Sequence, residues 1–137
     1  DRWSYAYQLS GSFGFFEGVN LLYPAANYAD LDLTVPPDPG DWSSLLTQPD
    51  PVFPADGLLG ISAMALLSPI DVPFTLEFTW LGSGSPGEQS FEVLDDSFNV
   101  VAVGRTTLPA QTGLPEPGSL LLIGVALGLL SWRKHLY

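Results

Sequence analysis

Phe74-Thr75-Leu76-Glu77-Phe78-Thr79-Trp80-Leu81 decides the fold class, because Phe74, Leu76, Phe78 and Trp80 alternate with Thr75, Glu77 and Thr79. Side chains on a strand point to opposite faces in turn, so this stretch has one dry and one wet face. Downstream, Gly82-Ser83-Gly84-Ser85-Pro86-Gly87 is a loop by composition. Gln89–Leu94 and Val100–Thr106 then resume the extended pattern across Asp95-Asp96-Ser97-Phe98-Asn99, whose Asx residues form turns. Three consecutive antiparallel strands, a meander, are expected here.

Upstream, Leu58–Leu67 is short and apolar and reads either as a buried strand or as a brief helix, since periodicity does not separate the two. Pro36–Pro54 holds six prolines and reads as one long surface loop, with Asp41 available to cap a single helical turn at Trp42–Leu46. In Tyr28–Val35, Leu31, Leu33 and Val35 alternate with Asp30, Asp32 and Thr34. At the start, Trp3, Tyr5, Tyr7 and Leu9 line one face of a strand opposite Ser4, Ala6 and Gln8. Gly11-Ser12 turns the chain into a second extended run, Phe13–Tyr23, with Gly14 and Gly18 as bulge positions, so a first hairpin is expected. Two groups of strands in one small domain must bury their apolar faces against each other. The fold class is therefore mainly β: a small antiparallel β-sandwich with a single C-terminal transmembrane helix. The expected division is 1–108 as an extracytoplasmic β-sandwich, 109–118 as a Pro/Gly linker, and 119–137 as an anchor with a short basic end.

The chain's 137 residues suit one domain, and the 14% charged fraction beside 46% apolar residues argues against disorder. The absence of cysteine removes disulfides, thiolate metal sites and Cys nucleophiles together. All 15 acids lie in residues 1–117 beside only Arg2 and Arg105, and such a body is repelled by phosphates, so nucleic acid is not an expected partner. Asp1 stands where an initiator Met would, with no basic-then-apolar leader before it. Removal of a signal peptide is the expectation, a trimmed chain the alternative.

After Pro109–Gly118 the character changes. Ser119 to Trp132 carries no charge and no proline, and an all-round apolar helix has no face to show to water. These 14 residues would rise about 21 Å as a helix, against a hydrocarbon core of roughly 30 Å, so length alone also fits a buried core helix. The flank favours a membrane: Trp132 suits the interface, and Arg133-Lys134 follows as a cytoplasmic stop. The C-terminus is then cytoplasmic and the acidic body outside. Gly124 and Gly128 are spaced for helix packing, or are ordinary glycines of a membrane helix.

The order Pro115-Glu116-Pro117, apolar stretch, basic cluster resembles the PEP-CTERM sorting domain of exported proteins from Gram-negative bacteria. The segment Phe78–Thr106 is similar to the bodies of many such proteins. The resemblance implies export, a stop in the inner membrane, processing by an exosortase near Pro115–Pro117, and an association with exopolysaccharide and surface material. The expected function is that of a non-enzymatic, membrane-anchored structural or interaction domain on the periplasmic side, or at the cell surface after processing. The alternative is a permanently anchored accessory subunit of a larger inner-membrane complex, respiratory or photosynthetic.

Chemistry is sparse. The one histidine, His135, sits in the tail, so the body holds no Ser/His/Asp triad, and no Walker loop, dinucleotide fingerprint or HExxH is present. The pairs Asp30/Asp32, Asp38/Asp41 and Asp95/Asp96 invite a glycosidase or calcium reading, but turn formation and solvation explain them better. No catalytic residue, metal or cofactor is assigned. The aromatic strands are read as core rather than as a carbohydrate platform. Trp42, in the proline loop, is the expected exposed contact to a partner or glycan.

Overall fold

The computed structural model describes residues 1–9, 13–65, 74–107 and 119–121. Nine strands occur among the described residues: β1 Arg2–Tyr7, β2 Gly18–Tyr23, β3 Tyr28–Val35, β4 Trp42–Thr47, β5 Gly57–Ala63, β6 Phe74–Trp80, β7 Ser90–Leu94, β8 Val100–Arg105 and β9 Ser119–Leu121. They form a four-stranded sheet in the order β3-β6-β1-β9 and a five-stranded sheet in the order β4-β5-β2-β7-β8. Pairing is antiparallel throughout except between β1 and β9.

The alternation does what it predicts. On β6, Phe74, Leu76 and Phe78 are buried, and on β1 Trp3, Tyr5 and Tyr7 are buried with Leu9 just beyond the strand. Both strands turn the same face inward because their register sets Tyr5 opposite Leu76 and Tyr7 opposite Phe74. Val19, Leu21 and Tyr23 of β2 and Leu59, Ile61 and Ala63 of β5 close the core from the other sheet. Phe78 meets Tyr5 edge-on at 5.1 Å and Tyr28 at 5.0 Å, so the centre of the sandwich is a lattice of aromatic edges and faces.

Pairing departs from expectation in three places. The expected first hairpin does not form: β1 and β2 lie in different sheets, and β1 pairs with β6 instead. The expected meander is also divided, since β6 belongs to one sheet and only β7 and β8 form a hairpin in the other. Period-two alternation specifies a face but not a neighbour, so either partner satisfies it. Third, Pro36–Pro54 is not one loop. Asp41 and Trp42 both donate backbone N–H groups to the carbonyl of Asp38, and this tight turn delivers the chain into β4, which pairs with β5. No helical turn follows Asp41. The apolar Leu58–Leu67 run resolves at its start as strand β5, flanked by β4 and β2.

The predicted helix from Ser119 also differs over its first three residues, which run extended as β9 beside Ser4–Ala6. A uniformly apolar run has no period to select a helix, and the open edge of β1 supplies the backbone partners. Residues 122–137 lie outside the described residues.

The registers define two ends. Gly18, Trp42, Ala63 and Leu94 share one end of the five-stranded sheet, and the connections from β1 to β2 and from β3 to β4 cross between sheets there. Tyr23 and Ser90 mark the other end, where β2 passes to β3 and β6 to β7. Gly18 is required at the first end: a Cβ there would stand 2.1 Å from the carbonyl oxygen of Ile61.

Candidate functional site

The end marked by Tyr23 and Ser90 carries a cleft of about 220 Å³, lined by residues that include Leu22, Asn27, Tyr28, Trp80, Glu88 and Arg105. Beneath it lies a buried polar network. Gln89, 2% exposed, accepts a hydrogen bond from the Tyr7 hydroxyl at Oε1 (2.9 Å), and its Nε2 donates to the Tyr28 hydroxyl (2.8 Å) and to the carbonyl of Gly87 (2.9 Å). The Tyr23 hydroxyl donates to that of Tyr7 at 3.0 Å, and Tyr5 donates to the carbonyl of Pro86 at 2.7 Å. Backbone bonds fix Gln89 in turn: its N–H donates to Thr106 Oγ1, and the Thr106 N–H donates to its carbonyl, both at 2.9 Å. Every polar atom of the Gln89 side chain is thereby satisfied, which such burial requires.

These phenols are poor acids. Burial raises the Tyr5 and Tyr23 pKa values and pushes Tyr7 well above the ordinary phenol range. Burial raises that of Tyr28 too, opposed by its hydrogen bond with Gln89 and by the charge of Arg105. All four stay neutral at ordinary pH and act as rigid hydrogen-bonding struts between the sheets.

The cleft walls are amphipathic. The Trp80 ring is half-buried, with its Nε1 donating to the Gly84 carbonyl at 3.1 Å. Arg105 donates to Ser90 Oγ at 3.1 Å and to the Glu88 carbonyl at 2.9 Å, and its Nε lies 3.9 Å from the Glu88 carboxylate. An aromatic face beside a guanidinium, a carboxylate and the Asn27 amide suits a small polar ligand with one apolar face. Among the described residues no group of three or more His, Asp or Glu is arranged to hold a metal ion.

The sequence-predicted site residues fall elsewhere. Trp42 is a correction: it is 5% exposed, not an open contact, and packs edge-on against Phe13 at 5.4 Å. The turn at Asp38 puts it on the inward face of β4 opposite Ala63, a consequence of pairing that proline content concealed. Pro115, Glu116, Pro117, Gly124, Gly128, Trp132, Arg133 and Lys134 lie outside the described residues. Two of the acid pairs serve turns, where Asp95 Oδ1 accepts the N–H groups of Ser97 and Asn99 and Asp38 Oδ1 accepts that of Gly40, whereas Asp30 and Asp32 lie on β3, with Asp30 Oδ2 accepting from Thr79 Oγ1 at 3.3 Å. Sequence reasoning missed Gln89 as a hub, because a lone glutamine ahead of a strand carries no pattern. No family model, curated protein or solved structure matches this chain.

Proposed function

We propose that this is a non-enzymatic interaction domain, exported and held at a bacterial inner membrane by a PEP-CTERM-like tail. The carrying observation is the order Pro115-Glu116-Pro117, the apolar stretch Ser119 to Trp132, then Arg133-Lys134. The domain's chemistry supports interaction over catalysis. Its buried tyrosine hydroxyls are committed to one another, to Gln89 and, for Tyr5, to the Pro86 carbonyl, while Asp38/Asp41 and Asp95/Asp96 sit in turns and Asp30/Asp32 on β3. The Trp80 cleft is the surface best formed to meet a ligand.

A second reading, a permanently anchored subunit of a membrane complex, is favoured by β8. It is the outer strand of the five-stranded sheet and exposes Val100, Val101 and Val103, the last at 66%. An apolar open edge is a template for a partner strand. Intact-mass measurement on protein from its native membrane separates the two. Loss of everything after about Pro117 defeats the subunit reading, whereas a retained tail with stoichiometric copurification of a complex defeats release to the surface.

A further inference from the structure

The end of the sandwich away from the cleft carries three exposed phenylalanines: Phe15 and Phe16 on the connection from β1 to β2, and Phe98 on the turn from β7 to β8, at 42%, 40% and 61% exposure. The Phe15 and Phe16 rings lie 4.0 Å apart, and Phe16 and Phe98 6.3 Å apart, so residues distant in sequence form one patch. Met64, 44% exposed, extends it beside the Ala63 carbonyl that accepts the Phe16 N–H. Exposed apolar residues are ordinary singly and informative when clustered. Val52 and Phe53, each 79% exposed, protrude from the hairpin between β4 and β5 at the cleft end, and Phe53 makes no ring contact among the described residues, so they form no such cluster.

The backbone gives a second, independent sign. Phe16 and Phe98 hold φ angles of 65° and 63°. That left-handed conformation suits glycine or asparagine and is unfavourable for a bulky side chain. Two strained phenylalanines therefore sit where less demanding residues would make the same turns, which is the pattern of a side chain kept for contact rather than for folding.

The chain's path names the contact. β9 runs parallel to β1, with Leu121 beside Ala6, and β1 itself continues toward Phe13–Glu17. The chain thus leaves β9 toward the aromatic end and enters the apolar residues Leu122 to Trp132 with no intervening linker. Those 11 residues would rise only about 16 Å as a helix, against roughly 30 Å of hydrocarbon. If those residues enter a bilayer, a domain tethered so closely would stand directly on it.

We propose that Phe15, Phe16 and Phe98 form a bilayer-contacting tip, seating the domain end-on so that the Trp80 cleft faces away from the membrane. The inference rests on the anchor reading of the tail. Its lipid partner is a zwitterionic surface, because Glu17, Asp95 and Asp96, within three residues of the phenylalanines in sequence, would be repelled by anionic headgroups.

The full chain in phosphatidylcholine vesicles provides the test, and its lack of native cysteine permits single nitroxide labels at Ser97→Cys on the tip and Gly87→Cys at the cleft. The expected result is a Ser97 label several-fold more accessible to oxygen, relative to a water-soluble nickel chelate, than the Gly87 label. Replacing Phe15, Phe16 and Phe98 together by Ser should return the Ser97 label to water while the protein still floats with vesicles in high salt. If both forms float and the wild-type Ser97 label is already in water, the tip proposal is overturned and the anchor stands. Should only the wild type float, the tip contact stands and the anchor reading fails; if neither floats, both fail. Spin–spin broadening at Ser97 would assign the patch to a second copy and overturn lipid contact.

Discussion

The cleft end and the aromatic tip share the five-stranded sheet yet invert the usual partition of side chains in opposite directions. At the cleft end, polar groups are buried and bonded: Gln89, Tyr7, Tyr23 and Tyr28 form a closed network. At the tip, apolar rings are exposed, and two of them sit on left-handed backbone. The difference teaches where stability and contact reside. Buried polar atoms are costly only if a partner is removed, so the cleft end is strong but brittle. Exposed rings add little to folding, and the tip is available for change.

Four experiments break or sharpen that contrast. The largest effect is expected from alkali. The Tyr5, Tyr7, Tyr23 and Tyr28 pKa values are raised in the folded state, so above about pH 10 the unfolded chain loses phenol protons that the folded chain keeps. The unfolded state then binds fewer protons and stability falls as pH rises; it is fully present below pH 10. A phenol that keeps its proton in the folded state approaches a loss of about 1.4 kcal/mol per pH unit once the unfolded chain is ionised, and Tyr7 and Tyr23, with the strongest burial, carry most of the fall. Urea titrations across that range measure it, and a flat profile would remove the network from the core.

Gln89→Leu leaves the Tyr7 and Tyr28 hydroxyls without their amide and should lower unfolding free energy by about 3 kcal/mol. Chemical denaturation with an unchanged m-value checks this, and a loss below that of an ordinary surface change would deny the brittleness of this end. Gly18→Ala, where the tip connection enters β2, drives a methyl against the Ile61 carbonyl and should cost about 2 kcal/mol. Here a melting temperature equal to wild type would mean that the close approach of β2 and β5 is not maintained. The smallest effect, of opposite sign, belongs to Phe98→Asn, which keeps the left-handed turn while relieving its strain and should stabilise by up to about 1 kcal/mol. If it destabilised as much as Gln89→Leu, the tip would be structural and the contrast would collapse.

Much of this was legible residue by residue. The faces of β1, β3 and β6 follow from alternation, except that register shifts along β3 leave Val35 exposed. The turn at Asp95 to Asn99 follows from Asx chemistry. The site was not legible. Gln89 becomes a hub only when β1 and β3 bring Tyr7 and Tyr28 to it, and β2 brings Tyr23 to Tyr7, from elsewhere in the chain. Trp42 misled because prolines around it suggested a loop, while a turn at Asp38 made the intervening segment a strand. The tip is a pairing effect too, since Phe16 and Phe98 lie far apart in sequence and meet only through β2 and β7.

By itself the sequence determined local matters: which residues face inward, where turns fall, the acidic body and the apolar, base-ended tail. These depend on properties of adjacent residues, namely the two-residue period of the strand, turn chemistry and charge. Only the tertiary structure decided that β1 joins β6 rather than β2, that Trp42 is core, and that the bonded polar network and the exposed phenylalanine cluster lie at opposite ends. Those outcomes depend on which edges meet, and backbone hydrogen bonds are the same for every partner, so selection comes from packing the whole core at once.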